Sequence, residues 1–231
     1  MKFSNINKIQ EKLKQDQFCA LLTDIESGRQ IFIDKIKDIT EVKDEKAKKK
    51  IASMVRAGIS GLIEESNLFL KVYSPAFRII LVGSVHISQY LVPMAKLVGF
   101  KIILIDPRKF FIDSYQMSDV EVINEWPDEV INKIGIDSRT AVITLTHDTK
   151  LDDPTLVTAL NSECFYIGAL GSKKTHQKRL NRLSQMGIAG KKLKRISGPV
   201  GLDINAKSPQ EIAVSILAEV IKMKHEIAGK E

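Results

Sequence analysis

The chain has 231 residues with a formal net charge of +7; 44% of its residues are hydrophobic and 27% are charged. This composition is typical of a globular protein and excludes wholesale disorder, a collagen-like repeat and low-complexity sequence. The length exceeds one typical domain of about 100–200 residues and falls short of two large ones, so we expect one large domain and a small companion.

Membrane insertion, export and metal binding find no support in the sequence. The aliphatic runs 79–82 and 102–105 are far shorter than the roughly 20 apolar residues of a membrane helix. Residues 1–15 lack the apolar core of a signal peptide, so we expect no export. The four His and two Cys residues are scattered without the spacing of metal ligands. Buried, reduced thiols at Cys19 and Cys164 fit a cytoplasmic protein.

Residues 1–75 predict a small α+β N-terminal domain. Its expected elements are a leading helix within residues 1–15, strands at 18–23 and 30–33 around a turn at 27–28, a helix at 43–57, and strands at 61–64 and 68–73. Ser74 and Pro75 then break the pattern, which indicates a domain boundary.

From residue 76 to residue 231 the pattern changes to alternating strands and helices, which is typical of a parallel sheet with helices on both faces. The expected strands are 78–82, 101–105, 121–124, 141–146 and 165–170, and the expected helices cover 86–98, open at 127, open at 152–154, follow the fifth strand, and open with a capping box at 208–211. The sequence therefore predicts an α/β protein, a Rossmann-like doubly wound parallel sheet preceded by a small α+β N-terminal domain.

Polar residues and glycines directly follow several of these strands. Ligands of a doubly wound sheet bind beyond the carboxyl ends of its strands, so these residues are candidates for one shared crevice. They are Gly83, Ser84 and His86 after the first strand, Asp106 and Arg108 after the second, and His147 with Asp148 after the fourth.

The first of these loops matches a dinucleotide fingerprint only in part. Gly83 occupies the first glycine position, whereas Val85 and Ser88 stand where the second and third glycines belong. Asp106 follows Gly83 by 23 residues, about where a ribose-binding acid is expected. An NAD(P)-binding oxidoreductase therefore stays open as an alternative function.

A basic segment at 164–202 contains nine Lys and Arg residues and no Asp or Glu. Within it, the fifth strand leads through a glycine turn into a Ser-capped helix, and such a helix start offers free backbone N–H groups to a phosphate. The candidates here are Gly168, Gly171, Ser172, Lys173, Lys174, His176 and Arg179, joined by Gly198, Gly201 and Asp203 from a second glycine turn. The segment lacks interleaved aromatic residues, which disfavours nucleic-acid binding. The residues alone predict a binding domain for a phosphorylated heterocyclic ligand.

The blocks 83–88, 106–108, 146–148, 165–172 and 198–204 together resemble the XdhC/CoxI family, the accessory proteins of xanthine dehydrogenase and related molybdenum hydroxylases. The likeness covers about residues 77–224. Longer members of that family are similar to one another in an N-terminal Gly-Gly-Cys-Val-Glu motif, which this chain lacks, so Cys19 receives no assigned contact with molybdenum.

This resemblance implies a chaperone, a maturation factor rather than an enzyme. Its implied cargo is molybdenum cofactor (molybdopterin), which carries a phosphate, or a pyrophosphate in the cytosine form. The implied partners are a cysteine desulfurase, which sulfurates the cofactor, and the apo large subunit of a molybdenum hydroxylase, which receives it. The resemblance leaves a homodimer open and implies neither a nucleic-acid nor a membrane partner.

Overall fold

The structure is a computed structural model and describes residues 3–15, 17–34, 39, 42–73, 75–108 and 120–229. It divides into two compact units, Met1–Pro75 with His225–Glu231, and Ala76–Lys224. In the part of the chain that is described, no helix combines the length and the apolar character needed to cross a bilayer.

The first unit contains an antiparallel sheet of four strands in the order β2-β1-β4-β3. Its elements are α1 (Phe3–Lys14), β1 (Cys19–Asp24), β2 (Gln30–Ile33), α2 (Glu45–Ala57), β3 (Gly61–Leu62) and β4 (Leu68–Tyr73). The Asp24 carboxylate accepts hydrogen bonds from the backbone N–H groups of Glu26 and Ser27, which closes the hairpin between β1 and β2. The predicted small α+β region is confirmed.

The second unit contains a parallel sheet of six strands in the order β10-β9-β8-β5-β6-β7. Its elements are β5 (Arg78–Val82), α3 (His86–Leu97), β6 (Lys101–Ile105), β7 (Glu121–Ile123), α4 (Pro127–Ile134), β8 (Thr140–Thr144), α5 (Thr149–Leu160), β9 (Tyr166–Ala169), α6 (Lys173–Gln185), α7 (Gly190–Leu193), β10 (Ile196–Ser197) and α8 (Pro209–Gly229). The strand order reverses between β5 and β8, as it does in a doubly wound sheet. The predicted Rossmann-like fold is confirmed.

Both faces of this sheet are covered, which explains why its strands are continuous apolar runs rather than alternating ones. Ile79 and Leu81 of β5 pack in a cluster with residues of α3 and α8. Ile80 and Val82 of the same strand pack in a second cluster with residues of α4, α5 and α6. All four side chains are buried.

Two elements differ from the sequence-based expectation. Helix α5 begins at Thr149 rather than at 152–154, because Asp148 caps it by accepting a hydrogen bond from the backbone N–H of Lys150. Pro154 therefore lies inside the helix, and Asp152 is buried. The sixth strand, β10, has only two residues, too few for the apolar pattern to predict it.

Candidate functional site

The loops that follow the parallel strands lie at one edge of the sheet, because the carboxyl ends of parallel strands point the same way. The point where the strand order reverses lies between the loop after β5 and the loop after β8. The structure therefore brings to this edge all the predicted candidates that follow a strand: Gly83, Ser84, His86, Asp106, Arg108, His147, Asp148, Gly171, Ser172, Lys173, Lys174, Gly198, Gly201 and Asp203.

Gly83 allows the two loops at the reversal point to approach each other. Its φ is +113°, and a Cβ atom there would lie 2.8 Å from Cγ2 of Thr146. The following helix, α3, has no side-chain cap, and the exposed His86 occupies its first turn. The first backbone N–H groups of α3 thus start the helix without a capping side chain, as an anion-binding helix start requires.

Asp106 is buried and holds the loop after β5 instead of facing a ligand. One carboxylate oxygen accepts a hydrogen bond from the backbone N–H of Ser84 at 2.8 Å. Arg108 grips both oxygens, through Nε at 2.8 Å and Nη2 at 2.7 Å. Burial raises the pKa of Asp106, but the hydrogen bonds from Arg108 and Ser84 outweigh burial and leave this pKa below its ordinary value.

The NAD(P) alternative loses its ribose-binding acid in this arrangement. A carboxylate that binds ribose hydroxyls must keep an oxygen available for them, whereas both oxygens of Asp106 are engaged by Ser84 and Arg108. Ser88, at the third glycine position, is buried and donates its hydroxyl to the Val85 carbonyl. The geometry of this loop therefore gives the oxidoreductase alternative no support.

The loop after β8 carries an exposed histidine in an uncommon conformation. His147 has a φ of +63°, in the left-handed region that few residues other than glycine adopt. The Thr146 hydroxyl donates to Asp152 at 2.5 Å and accepts from the backbone N–H of Asp148 at 3.0 Å. Thr146 and Asp152 therefore shape this loop.

The turn between β9 and α6 combines a helix start with positive charge. Ser172 caps α6 by accepting from the backbone N–H of Thr175, and Lys173 and Lys174 are exposed in the first turn. Arg179 reaches back beneath this turn, where its Nη2 donates to the Leu170 carbonyl at 2.6 Å. The guanidinium of Arg179 is buried, and its Nε has no hydrogen-bond partner among the described residues.

Three glycines of the predicted site pack against the chain's own side chains. A Cβ at Gly168 would meet Val200 at 2.6 Å, one at Gly198 would overlap the His176 ring, and one at Gly201 would overlap Ser215. Close packing therefore accounts for these glycines, and their contact with a ligand stays a prediction. Burial and the charge of Arg179 lower the pKa of His176, which favours its neutral form.

Glu219 of α8 holds the second glycine turn. Its carboxylate accepts from the Tyr166 hydroxyl at 2.6 Å, from the Gly201 backbone N–H at 2.6 Å, and from the Ser197 hydroxyl. Burial, and then the neighbouring carboxylate, raise the pKa of Tyr166, so its phenol stays protonated and donates. Asp203, beyond the turn, is exposed.

The basic segment does not form a single positive face. Arg182 pairs with Asp153 at 2.7 Å, and Arg195 donates to the carbonyls of Leu160, Ser162 and Cys164. Helix α7, with its lysines, precedes β10 and therefore lies toward the opposite edge of the sheet. Among the candidates, Lys173 and Lys174 carry the exposed positive charge at the carboxyl edge.

Sequence reasoning missed four residues that shape this edge: Thr146, Asp152, Tyr166 and Glu219. A signal for two of them was present, because Asp152 and Glu219 are acids within apolar helical stretches, where a carboxylate needs a partner. Their partners lie on other elements, so the pattern does not reveal them.

A family model described as the XdhC Rossmann domain matches residues 79–220, more than half of the chain. The chain belongs to the XdhC family. The predicted family resemblance is thereby confirmed, and the match spans β5 to α8, including every loop of the candidate site.

Relatives of this XdhC family member are longer proteins. The molybdenum cofactor insertion chaperone PaoD of Escherichia coli (strain K12) is 40% identical over 89 residues, which cover 38% of this chain and 28% of PaoD. A probable xanthine dehydrogenase component from Bacillus subtilis (strain 168) is 28% identical over 167 residues, which cover 71% of this chain and 48% of that protein. The chain thus spans less than half the length of these relatives.

A solved structure shares the fold of this chain. The crystal structure of a xanthine dehydrogenase from Bacillus halodurans superposes with a TM-score of 0.72 and 23% sequence identity, covering 96% of this chain and 64% of the other. At this identity the likeness supports the fold, and the function is argued from the site.

Proposed function

We propose that this XdhC protein binds molybdenum cofactor as cargo and assists its insertion into the apo large subunit of a molybdenum hydroxylase. The name of PaoD, a molybdenum cofactor insertion chaperone, supports this proposal. The xanthine dehydrogenase name of the Bacillus subtilis relative is consistent with it. In this proposal the chain is a maturation factor and not a catalyst.

The turn between β9 and α6 carries this proposal. Molybdopterin presents a phosphate, and a capped helix start with Lys173 and Lys174 offers it backbone N–H groups and two ammonium groups. The buried guanidinium of Arg179 adds a positive charge beneath the turn, 3.7 Å from the point where a Cβ of Gly171 would lie. The exposed His86 and His147, at the reversal point, would face the heterocycle.

The finer features of the proposal concern partners and cellular location. The chain would protect the cofactor while a cysteine desulfurase replaces an oxo ligand with sulfur, and would then release it to the apo enzyme. A homodimer would let two copies serve one dimeric client. Cys19 and Cys164 are free and buried, which is compatible with a reducing cytoplasm.

The test compares two double variants that remove the same charge from different edges of the sheet. Lys173→Ala with Lys174→Ala and Lys191→Ala with Lys194→Ala each lower the formal net charge from +7 by two. We expect the first pair to weaken binding of purified molybdenum cofactor by about tenfold or more, roughly 1.4 kcal/mol. The second pair should change the affinity by less than about twofold, because long-range charge effects are screened in salt.

Fluorescence or calorimetric titration measures both affinities, and titration with NADH is the control for the NAD(P) alternative. An equal loss in the two pairs would assign binding to net charge and contradict a site at the β9–α6 turn. Submillimolar NADH binding would favour the oxidoreductase instead. Arg179 is unsuited to this test because its removal strands the buried Asp152, whose charge it faces at 4.0 Å.

A further inference from the structure

His147 adopts its left-handed conformation at the point where the strand order reverses. Among the described residues other than glycine, only Glu65, His147 and Asn205 have a positive φ. Such a conformation is strained for a residue with a Cβ and persists only where surrounding groups hold it. Glycine would adopt it freely. A histidine here indicates that the imidazole itself is used.

Two hydrogen bonds of one hydroxyl hold this conformation. Thr146 accepts from the backbone N–H of Asp148 at 3.0 Å, so the Thr146 hydroxyl closes a short loop around His147. The same hydroxyl donates to the Asp152 carboxylate at 2.5 Å, which fixes its rotamer. Asp148 is itself fixed as the cap of α5. His147 is thus held from both sides.

Asp152 is an unusual choice for an interior position of α5. Its side chain is 3% exposed, and its second oxygen lies 4.0 Å from Nη2 of Arg179, whose side chain is 2% exposed. Arg179 in turn holds the Leu170 carbonyl in the loop after β9. Burial raises the pKa of Asp152, although Thr146 and Arg179 oppose this effect.

A carboxylate at this position is not needed for packing alone. Leu151 and Leu156 of the same helix are buried in the apolar cluster beneath the sheet, and buried ion pairs are often replaceable by apolar residues without loss of stability. What Asp152 does supply is a connection between the loops after β8 and β9, the two loops that border the proposed cofactor site.

We propose that Asp152 is a positioning residue that acts through the Thr146 hydroxyl to hold His147 with its imidazole directed at the bound cofactor. This inference rests on the proposed function. The imidazole would donate a hydrogen bond to, or accept one from, the polar edge of the pterin or its phosphate. Asp152 and Thr146 would not touch the cargo.

The test separates the hydroxyl from the volume of Thr146. Thr146→Val keeps the shape and removes the hydroxyl, and we expect it to weaken cofactor binding about tenfold. Thr146→Ser keeps the hydroxyl and should recover most of that loss. Thr158→Val is the matched control, because the Thr158 hydroxyl donates to the Pro154 carbonyl within α5; this variant should bind as the unchanged chain does.

A second variant tests the imidazole. His147→Gly relieves the backbone strain, so we expect a higher midpoint of thermal unfolding together with a loss of cofactor affinity of about tenfold. His147→Ala keeps the strain and should lower the midpoint. If His147→Gly binds the cofactor as tightly as the unchanged chain, the imidazole is not used and the proposal is overturned.

NMR of the cofactor-free protein keeps the positioning step testable if the chain binds no molybdenum cofactor. The imidazole C–H signals of His147 should shift in Thr146→Val and Asp152→Asn and stay in place in Thr158→Val. Unmoved signals in the first two variants would refute the positioning role. Moved signals with no cofactor binding by the unchanged chain would refute the proposed function and the cargo contact while supporting the loop mechanism.

Discussion

Buried acids in this protein hold loops. Asp106 fixes the loop after β5 through the Ser84 backbone, and Glu219 fixes the second glycine turn through the Gly201 backbone. A carboxylate satisfied by several donors in a dry environment resists displacement, because each lost partner leaves a buried charge unpaired. At the residue scale, the edge of the sheet is therefore organised before any ligand arrives.

The pH dependence of stability tests the role of Asp106. Because its native pKa is depressed, its ionised form stabilises the fold above the unfolded-state pKa near 3.8, and this contribution is lost as the pH falls through the native pKa. We expect Asp106→Asn to lower the free energy of unfolding by about 2–4 kcal/mol at pH 7, and by much less at pH 3.

Urea denaturation at both pH values measures this difference. Asp203→Asn serves as the control, since Asp203 is exposed and surface substitutions usually stay within about 0.5 kcal/mol. A penalty for Asp106→Asn that is the same at pH 3 and pH 7 would show that its charge is not the source of the stabilisation.

Helix starts in the second unit serve two different purposes. At α8, Ser208 and Glu211 form a capping box in which each side chain accepts from the backbone of the other. The N–H groups of Ser208 and Lys207 lower the pKa of Glu211. At α6, Ser172 leaves the lysine-rich first turn facing the carboxyl edge. We assign a stabilising role to the first cap and a ligand-binding role to the second.

Alanine substitution of the two capping serines distinguishes these roles. Ser208→Ala and Ser172→Ala should each lower the free energy of unfolding by about 1 kcal/mol, the usual value of an N-cap side chain. Only Ser172→Ala should also weaken cofactor binding, because it loosens the helix start that receives the phosphate. Thermal unfolding and cofactor titration of both variants give the two quantities. A comparable loss of affinity in Ser208→Ala would contradict the assignment.

The apolar runs predict the elements well, and the loops only in part. β5 and β6 match their predicted bounds because buried strands between helices are short β-branched runs. The pattern misplaces the start of α5 because the Asp-Pro signal at 152–154 is locally stronger than the single cap Asp148. The hydrogen bond from Thr146 to Asp152 joins a loop to a helix face, a contact that no local pattern encodes.

The division of the basic segment follows from the topology and not from the sequence. In the sequence, residues 173–195 form one cationic stretch, but the chain between α6 and β10 returns to the opposite edge of the sheet. Local charge counting therefore overestimates the positive charge at the site. It also cannot distinguish an exposed lysine from an arginine such as Arg182, which is occupied by Asp153.

At the scale of the whole molecule, each unit has its own apolar core. Leu70 is fully buried in the core of the first unit, and Leu81 is buried in the core of the second. All residues of the candidate site belong to Ala76–Lys224. Cofactor binding should therefore depend on the second core and not on the first.

Matched leucine truncations test this division. Leu70→Ala and Leu81→Ala should each cost about 2–5 kcal/mol of unfolding free energy, the usual range for a buried leucine. Leu70→Ala should leave the affinity for molybdenum cofactor within about twofold of the unchanged chain. Leu81→Ala should weaken it severalfold, since Leu81 lies on the strand that leads into the Gly83 loop. Circular dichroism confirms that each variant is folded at the temperature of the titration. A loss of affinity in a folded Leu70→Ala variant equal to that in Leu81→Ala would show that the first unit contributes to the binding site.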